Sequence, residues 1–245
     1  MEILTLLRRG IYHHNFNEDF LGIHSLSDDI VVAAVMDGCS SAKDSQFSSA
    51  LYAKSLHKSA RMLPQMKEIV EDFDLETMSL EGIATFFMNQ LFDDLKRTKK
   101  LFFLETKELL STIVLLVINK SQRSACVKMS GDGIFAINGE ITEIDQNNIP
   151  NFLGYHLNKS FEDIDEAEIQ TWHFESVNDV SISTDGIQKL KSSVKKNKKD
   201  SDPRVKLLIE GPNGTNDSFL ENQYQNFMDT GFIPLDDIGV IRFIL

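Results

Sequence analysis

Acidic residues recur at or beside the ends of predicted strands, most of them next to glycine or to a second acidic residue. These sites are Glu18-Asp19, Asp37-Gly38, Asp132, Asp185-Gly186 and Asp236-Asp237. Each Asp-Gly pair alone is ordinary turn chemistry. Strand ends of one sandwich can meet at one edge, however, and carboxylates gathered there repel one another unless hard cations lie between them. Because oxygen-only ligation disfavours zinc and copper, the group predicts a site for Mg²⁺ or Mn²⁺.

Several short apolar runs predict the strands that these acidic sites follow or precede. Residues 30–36 and 113–118 are continuous β-prone runs, typical of strands covered on both faces. Further strands are predicted at 20–24, 124–129, 133–137, 140–144, 177–184 and 238–244. The intervals between 113 and 144 leave no room for crossover helices, and Asn138-Gly139 is a hairpin signal. This stretch is therefore predicted to be an antiparallel meander.

Helices are predicted where they could cover such a sheet. Between residues 80 and 95 the apolar side chains fall on one stripe with helical periodicity, and residues 45–62 contain neither glycine nor proline. A third helix is predicted at 218–229. An antiparallel sheet buried on both faces needs a second sheet on one side and helices on the other. We therefore predict an α+β fold, a four-layer α/β/β/α sandwich of two antiparallel sheets flanked by antiparallel helix pairs, in a single domain over residues 1–245.

Composition narrows the classes of partner. With 37 acidic and 25 basic residues the net charge is −12, which disfavours binding to nucleic acid. Even the longest apolar runs, residues 30–36 and 113–118, are too short to span a membrane, so no membrane partner is expected. Arg8 and Arg9 follow a short apolar stretch, the reverse of a secretory signal, and two cysteines are too few for a disulfide framework. We expect a cytoplasmic protein.

One basic segment departs from the acidic average. Six lysines occur within eleven positions from Lys189 to Lys199, followed by residues 200–203. We predict a solvated, variable loop near 189–203, with a docking patch for an acidic partner as the alternative.

The order of the acidic motifs resembles the protein phosphatase 2C family of metal-dependent serine/threonine phosphatases, as a divergent member of bacterial type. The motifs are Asn17-Glu18-Asp19, Val35-Met36-Asp37-Gly38, Ser111-Thr112, Ser130-Gly131-Asp132, Ser183-Thr184-Asp185-Gly186 and Asp236-Asp237-Ile238-Gly239-Val240. The similarity extends from about residue 10 to the C-terminus, and the family's two-sheet fold agrees with the layers predicted above.

The resemblance implies a role for each of these residues. Asp37 would bridge two Mn²⁺ or Mg²⁺ ions and Gly38 would offer its carbonyl. Glu18 would serve the second ion, while Asp185 and Asp236 would hold the first. Asp132 corresponds to a weaker third metal site. The implied activity is hydrolysis of phosphoserine and phosphothreonine by a water that the two ions activate. The implied partners are a phosphorylated protein substrate and a cognate Ser/Thr kinase.

Two departures from the family pattern concern catalysis. The usual Asp-Gly-His-Gly is Asp37-Gly38-Cys39-Ser40 here, so the histidine proposed as general acid is missing. His14 stands where an arginine normally binds phosphate, which makes His14 the candidate catalytic residue beside Asp37, with Arg9 or Lys43 as alternative phosphate-binding cations. The rival hypothesis is a catalytically weak or inactive regulatory or binding module.

Two other enzyme classes fit the sequence less well. A cysteine phosphatase needs an arginine six residues after its nucleophile, but Ser45 occupies that position relative to Cys39. A metal-dependent nuclease is disfavoured by the negative charge.

Overall fold

Two five-stranded antiparallel sheets form the centre of the computed structural model, which describes residues 1–71, 73–146, 150–192, 202–211 and 218–245. The first sheet has the order β2 (Asp19–Ser25), β3 (Ile30–Asp37), β4 (Ile113–Asn119), β5 (Ser124–Ser130) and β8 (Gln170–Phe174). The second has the order β1 (Glu2–Arg8), β12 (Ile238–Ile244), β9 (Asp179–Ser183), β6 (Gly133–Ile137) and β7 (Glu140–Ile144). A separate ribbon pairs β10 (Leu190–Ser192) with β11 (Phe232–Pro234).

Helices cover the outer face of each sheet. On the first sheet lie α1 (Ser45–Gln65) and α2 (Leu80–Phe102), which contact β2 to β5. On the second lie α3 (Pro203–Leu208) and α4 (Phe219–Asp229), which contact β1, β9 and β12. Two short 3-10 turns, Leu153–His156 and Phe161–Asp163, lie between β7 and β8. No helix among the described residues has the length and apolar character that a membrane crossing requires.

Three apolar layers fill the spaces between these elements. Alternate residues of β3 point to opposite faces, so Val32 and Met36 join the layer under α1 and α2, whereas Val31 and Val35 join the layer between the sheets. A third layer packs the second sheet against α3 and α4. The predicted four-layer α+β sandwich is therefore confirmed.

The predicted meander over residues 113–144 was wrong in one respect, because it is divided between the two sheets. The pair β4–β5 belongs to the first sheet and the pair β6–β7 to the second. The chain crosses at Gly131, whose φ of +85° lies in the left-handed region that favours glycine. Asp132 follows directly at this crossing, which is why it lies at the edge shared by both sheets.

Other elements extend or add to the prediction. Helix α2 continues to Phe102, and β1, β8, β10, β11 and α3 were not predicted. The first part of the predicted lysine-rich loop is ordered, because Lys189 ends a 3-10 turn and β10 follows it. Residues 193–201 of that loop lie outside the described residues.

Candidate active site

Strand ends from both sheets open onto one cleft of about 250 Å³. Asp37 reaches it from the end of β3 and Asp132 from the β5–β6 crossing. Asp185 follows β9, and Asp236 precedes β12. The lining consists of Asp37, Gly38, Cys39, Ser40, Ser41, Thr112, Asp132, Pro150, Phe152, Asp185, Lys189 and Asp236. Four carboxylates predicted to be metal ligands therefore lie around one space.

Strand register brings the remaining acidic motif to the same edge. Asp19 of β2 is the register partner of Asp37 of β3, so Glu18 lies just beyond that pair. The Gly38 N–H donates to the Glu18 carbonyl at 3.1 Å. A β-carbon at Gly38 would lie 2.1 Å from the Ser45 carbonyl oxygen, so the close approach of α1 requires glycine here. Helix packing alone thus accounts for a glycine after Asp37.

Crowding of like charges affects the acidic side chains of the site. Burial, and then the carboxylates of Asp19, Asp185 and Asp236, raise the pKa of Asp37 well above its usual range. Burial is also the main reason why the pKa of Asp19 is raised well above its usual range, and it raises the pKa of Asp132 as well. An additional positive charge would relieve this repulsion.

Lys189 supplies one positive charge. Its Nζ lies 2.9 Å from Asp185 Oδ2 and 2.7 Å from Asp236 Oδ2. Burial alone would lower the pKa of Lys189, but the Asp185 and Asp236 carboxylates outweigh burial and raise it. The sequence analysis assigned Lys189 to a solvated loop. The only local signal was the spacing of four residues from Asp185, which allows an ion pair within one helical turn.

His13 lies at the rim beside three carboxylates. Its Nδ1 lies 2.8 Å from Asp237 Oδ2, and its Nε2 lies 3.5 Å from Asp236 Oδ1 and 3.6 Å from Glu18 Oε2. Burial lowers the pKa of His13, but the Asp237 carboxylate and then Glu18 and Asp236 outweigh it, so the pKa is raised.

His14 points elsewhere and does not line the cleft. It is exposed and borders a neighbouring depression together with His13 and Glu18. Arg9 Nη1 donates to the His14 carbonyl at 2.9 Å. Lys43 pairs with Glu105 at 2.8 Å. His14 therefore lies outside the cleft that Lys189 lines, and the phosphate contact of His14 stays a prediction.

Two buried acidic residues hold the surrounding segments together. Asp237 accepts a hydrogen bond from the Gly10 N–H at 2.7 Å, which fastens the N-terminal segment to the start of β12. Thr184 Oγ1 donates to Asp19 Oδ2 at 2.7 Å and accepts from the Gly239 N–H at 2.9 Å. These contacts join both sheets at the cleft, a role that the sequence analysis did not assign.

The donor chemistry of the cleft fits hard divalent cations. Asp185 Oδ1 and Glu18 Oε2 are buried without a hydrogen-bond partner among the described residues. Carboxylate oxygens are the ligands that Mg²⁺ and Mn²⁺ prefer. Within the described ranges, however, no three acidic, histidine or cysteine side chains already form a metal-ligand cluster. Two of the carboxylates, Asp185 and Asp236, are instead paired with Lys189.

Cys39 lacks the surroundings of a catalytic thiolate. It is a partly exposed free cysteine whose Sγ lies 3.3 Å from Ser41 Oγ. No arginine lines the described cleft. The geometry therefore agrees with the sequence argument against a cysteine phosphatase.

Comparison with known proteins decides the family. The sequence profile of protein phosphatase 2C matches residues 8–225, which is most of the chain. The chain belongs to the protein phosphatase 2C family. A search of curated protein sequences found no significant match to this chain.

Solved structures with the same fold include several bacterial phosphatases. A bacterial serine phosphatase that carries a point mutation is 15% identical with a TM-score of 0.67, over 100% of this chain and 98% of that one. Serine/threonine phosphatase Stp1 from Staphylococcus aureus is 14% identical with a TM-score of 0.65, over 100% and 94%. RsbX, in complex with magnesium, is 16% identical with a TM-score of 0.56, over 98% and 92%. At these identities the similarity establishes the fold of this phosphatase 2C-family chain.

Proposed function

We propose that this chain is a metal-dependent phosphoprotein phosphatase that hydrolyses phosphoserine and phosphothreonine. The observation that carries the proposal is the cleft in which Asp37, Asp132, Asp185 and Asp236 converge from four strand ends. Family membership over residues 8–225 supports the reaction class. A phosphorylated protein is the substrate, and a Ser/Thr kinase is the partner activity that must produce it.

The residues divide into those that would hold metal and those that hold these residues in position. Asp37, with the Gly38 carbonyl and Glu18, would hold one ion, and Asp37, Asp185 and Asp236 the other, either Mn²⁺ or Mg²⁺. Asp132 would serve a third, weaker site. When bound, the ions supply an activated water and neutralise the phosphate oxygens. The magnesium-bound structure of RsbX supports this metal class for the fold.

The protein itself contributes orientation and access. Thr184 fixes the Asp19 carboxyl beside Asp37, and Asp237 fixes the segment before Glu18. These buried hydrogen bonds hold the carboxylates in place before substrate arrives, which lowers the cost of reaching the reactive geometry. Ser40 and Ser41 line the same cleft, which would receive the phosphorylated side chain.

A regulatory module without turnover is the second candidate, and one observation favours it. Lys189 already pairs with Asp185 and Asp236, and the cleft contains no arginine among its described lining residues. Such a protein would bind a phosphorylated partner in the cleft and not release phosphate.

One assay separates the two candidates. Phosphate release from phosphoserine and phosphothreonine peptides is measured with Mn²⁺, with Mg²⁺ and with a chelator. We expect hydrolysis only with metal, and a fall of several orders of magnitude in Asp37→Asn. Asp28→Asn, in the exposed β2–β3 turn, is the matched control and should behave as wild type. Activity that persists in chelator contradicts the metal mechanism, and no release under any metal condition favours the regulatory module.

A further inference from the structure

Lys189 is a lysine in a cleft that is otherwise lined by acidic and uncharged side chains. Its ammonium lies between Asp185 and Asp236, two carboxylates that the proposed function assigns to one metal ion. Lys189 also acts electrostatically on Asp37 and Asp132, opposing the rise in pKa that burial causes at both. It is the only lysine or arginine among the described residues that line the cleft.

The backbone keeps Lys189 at this position. Asp185 and Lys189 begin and end the same 3-10 turn, which sets their spacing. Strand β10 starts at the next residue and pairs Leu190 with Pro234 of β11. The Leu235 N–H donates to the Lys189 carbonyl at 3.2 Å, directly before Asp236. Lys189 is therefore attached through its main chain to both segments whose carboxylates it pairs.

We propose that the Lys189 ammonium is an internal counter-cation that a divalent metal ion must displace from Asp185 and Asp236. The inference rests on the proposed function, because it assumes that these carboxylates bind metal. One ammonium neutralises part of the charge of four converging carboxylates and so stabilises the metal-free cleft. A divalent ion that binds the same oxygens must break both ion pairs, and this cost lowers its affinity.

Removal of Lys189 should lower the stability of the metal-free protein but raise its metal affinity. These opposite effects distinguish a counter-cation from a lysine with a purely structural role. Without Lys189 the metal-free protein should be less stable, because Asp185 and Asp236 lose their partner and repel each other. The same protein should bind metal more tightly, because nothing has to be displaced. A lysine that only supports the fold would lower stability without increasing metal affinity.

The test measures Mn²⁺ affinity by isothermal titration calorimetry, and thermal unfolding with chelator and with saturating Mn²⁺. The proteins are wild type, Lys189→Met, Lys189→Gln and the control Lys191→Met, which removes an exposed lysine of β10. For both Lys189 variants we expect binding at least ~10-fold tighter, equivalent to about 1.4 kcal/mol. We also expect a lower melting temperature in chelator, and a difference from wild type that shrinks or reverses with Mn²⁺. Lys191→Met should match wild type throughout.

The outcomes distinguish this inference from the proposed function. Mn²⁺ binding that is unchanged or weaker in both Lys189 variants contradicts the counter-cation role and leaves the metal site in place. Mn²⁺ binding that is absent from every protein contradicts the proposed function and this inference together. If Lys189→Met does not fold in chelator, Lys189→Gln, which keeps a polar amide, provides the same comparison.

Discussion

Asp37 ends strand β3 with its carboxyl among three other acidic side chains, where burial and repulsion both disfavour its charge. Buried carboxylates that repel one another lower the stability of a protein in which no ligand neutralises them. They are typical of sites where function takes precedence over stability. The residues that lower the stability of the metal-free protein are therefore the same residues that are proposed to bind metal.

The substitution Asp37→Asn should stabilise the metal-free protein while abolishing metal-dependent activity. The amide removes one negative charge from the cluster, so we expect the free energy of unfolding in chelator to rise by on the order of 1 kcal/mol. Urea denaturation with chelator measures this change. Asp28→Asn, an exposed control, should stay within about 0.5 kcal/mol of wild type. A metal-free Asp37→Asn protein that is less stable than wild type would mean that the carboxylates do not repel one another.

Cys39 lines the cleft but has no catalytic task in this account. Cys39→Ser should therefore leave the peptide dephosphorylation rate within a few fold of wild type, because no thiolate nucleophile is needed. Steady-state kinetics with Mn²⁺ provides the measurement. A loss as large as that of Asp37→Asn, in a protein with wild-type circular dichroism, would return covalent cysteine chemistry to consideration.

At the scale of elements, the contact between β2 and α1 includes two neighbouring histidines. His24 of β2 and His57 of α1 have ring centroids 5.3 Å apart. Burial, and then the neighbouring His57, lower the pKa of His24 below its ordinary value of 6.5. Protons therefore bind the unfolded chain more readily than the folded one.

This shift predicts how stability changes with pH. The contribution of a neutral His24 is fully present above the unfolded pKa of 6.5 and is lost as pH falls through the lowered folded value. Replacing His24 with Gln should reduce the loss of stability on acidification below that pH, as measured by urea denaturation at a series of pH values. His173→Gln, at an exposed histidine of β8, is the control and should keep the wild-type profile. Identical profiles for wild type and His24→Gln would contradict the sign of the shift.

Arg242 joins elements of the second sheet in a different way. Its side chain is 1% exposed, its Nε donates to Asp179 Oδ1 at 2.9 Å, and its Nη1 donates to the Glu210 carbonyl at 2.5 Å. It therefore connects β12 with β9 and with the chain that follows α3. Removal of this cation leaves a carboxylate and a carbonyl without their donor.

We expect Arg242→Met to cost about 3 kcal/mol of unfolding free energy, the lower end of the range for breaking a buried pair, because Asp179 is 24% exposed. Arg8→Met removes an arginine whose ion pair with Glu221 is exposed, so it should cost less than about 1 kcal/mol. Equilibrium unfolding in urea compares the two variants. Equal losses would show that burial does not determine the strength of these pairs.

For the whole molecule, the elements that sequence predicted well are those whose pattern is decided locally. Strands β3 and β4 agree within one residue of the predicted runs, because continuous β-branched and aliphatic residues are buried on both faces. Strand β8 was not predicted because its residues are only partly buried and lack clear alternation. The three-residue strands β10 and β11 are too short to produce any period. The division of the meander depends on the positive φ angle of Gly131, which the hydrophobic periodicity of the sequence does not indicate.

For the site too, the features that depend on local sequence were predicted and those that depend on tertiary structure were not. Turn chemistry and motif order indicated the acidic residues at strand ends, which the fold brings to one cleft. The pairing of Lys189 with Asp236 joins residues 47 positions apart, so it depends on tertiary structure. His13 and His14 are adjacent, yet only His13 is partly buried near Asp236, because successive side chains point in different directions. Sequence therefore predicted which acidic side chains lie together, but not that Lys189 lies between two of them.

Carboxylates from four strand ends are proposed to bind divalent metal ions in one cleft. Anomalous diffraction from crystals soaked in Mn²⁺ tests this proposal directly, because the signal locates the metal without reference to activity. We expect peaks in the cleft, coordinated by oxygens of Asp37, Asp185 and Asp236, with the Lys189 ammonium moved away from the last two. Ordered crystals with no peak in the cleft at saturating Mn²⁺, and Lys189 still paired with both carboxylates, would contradict the proposal.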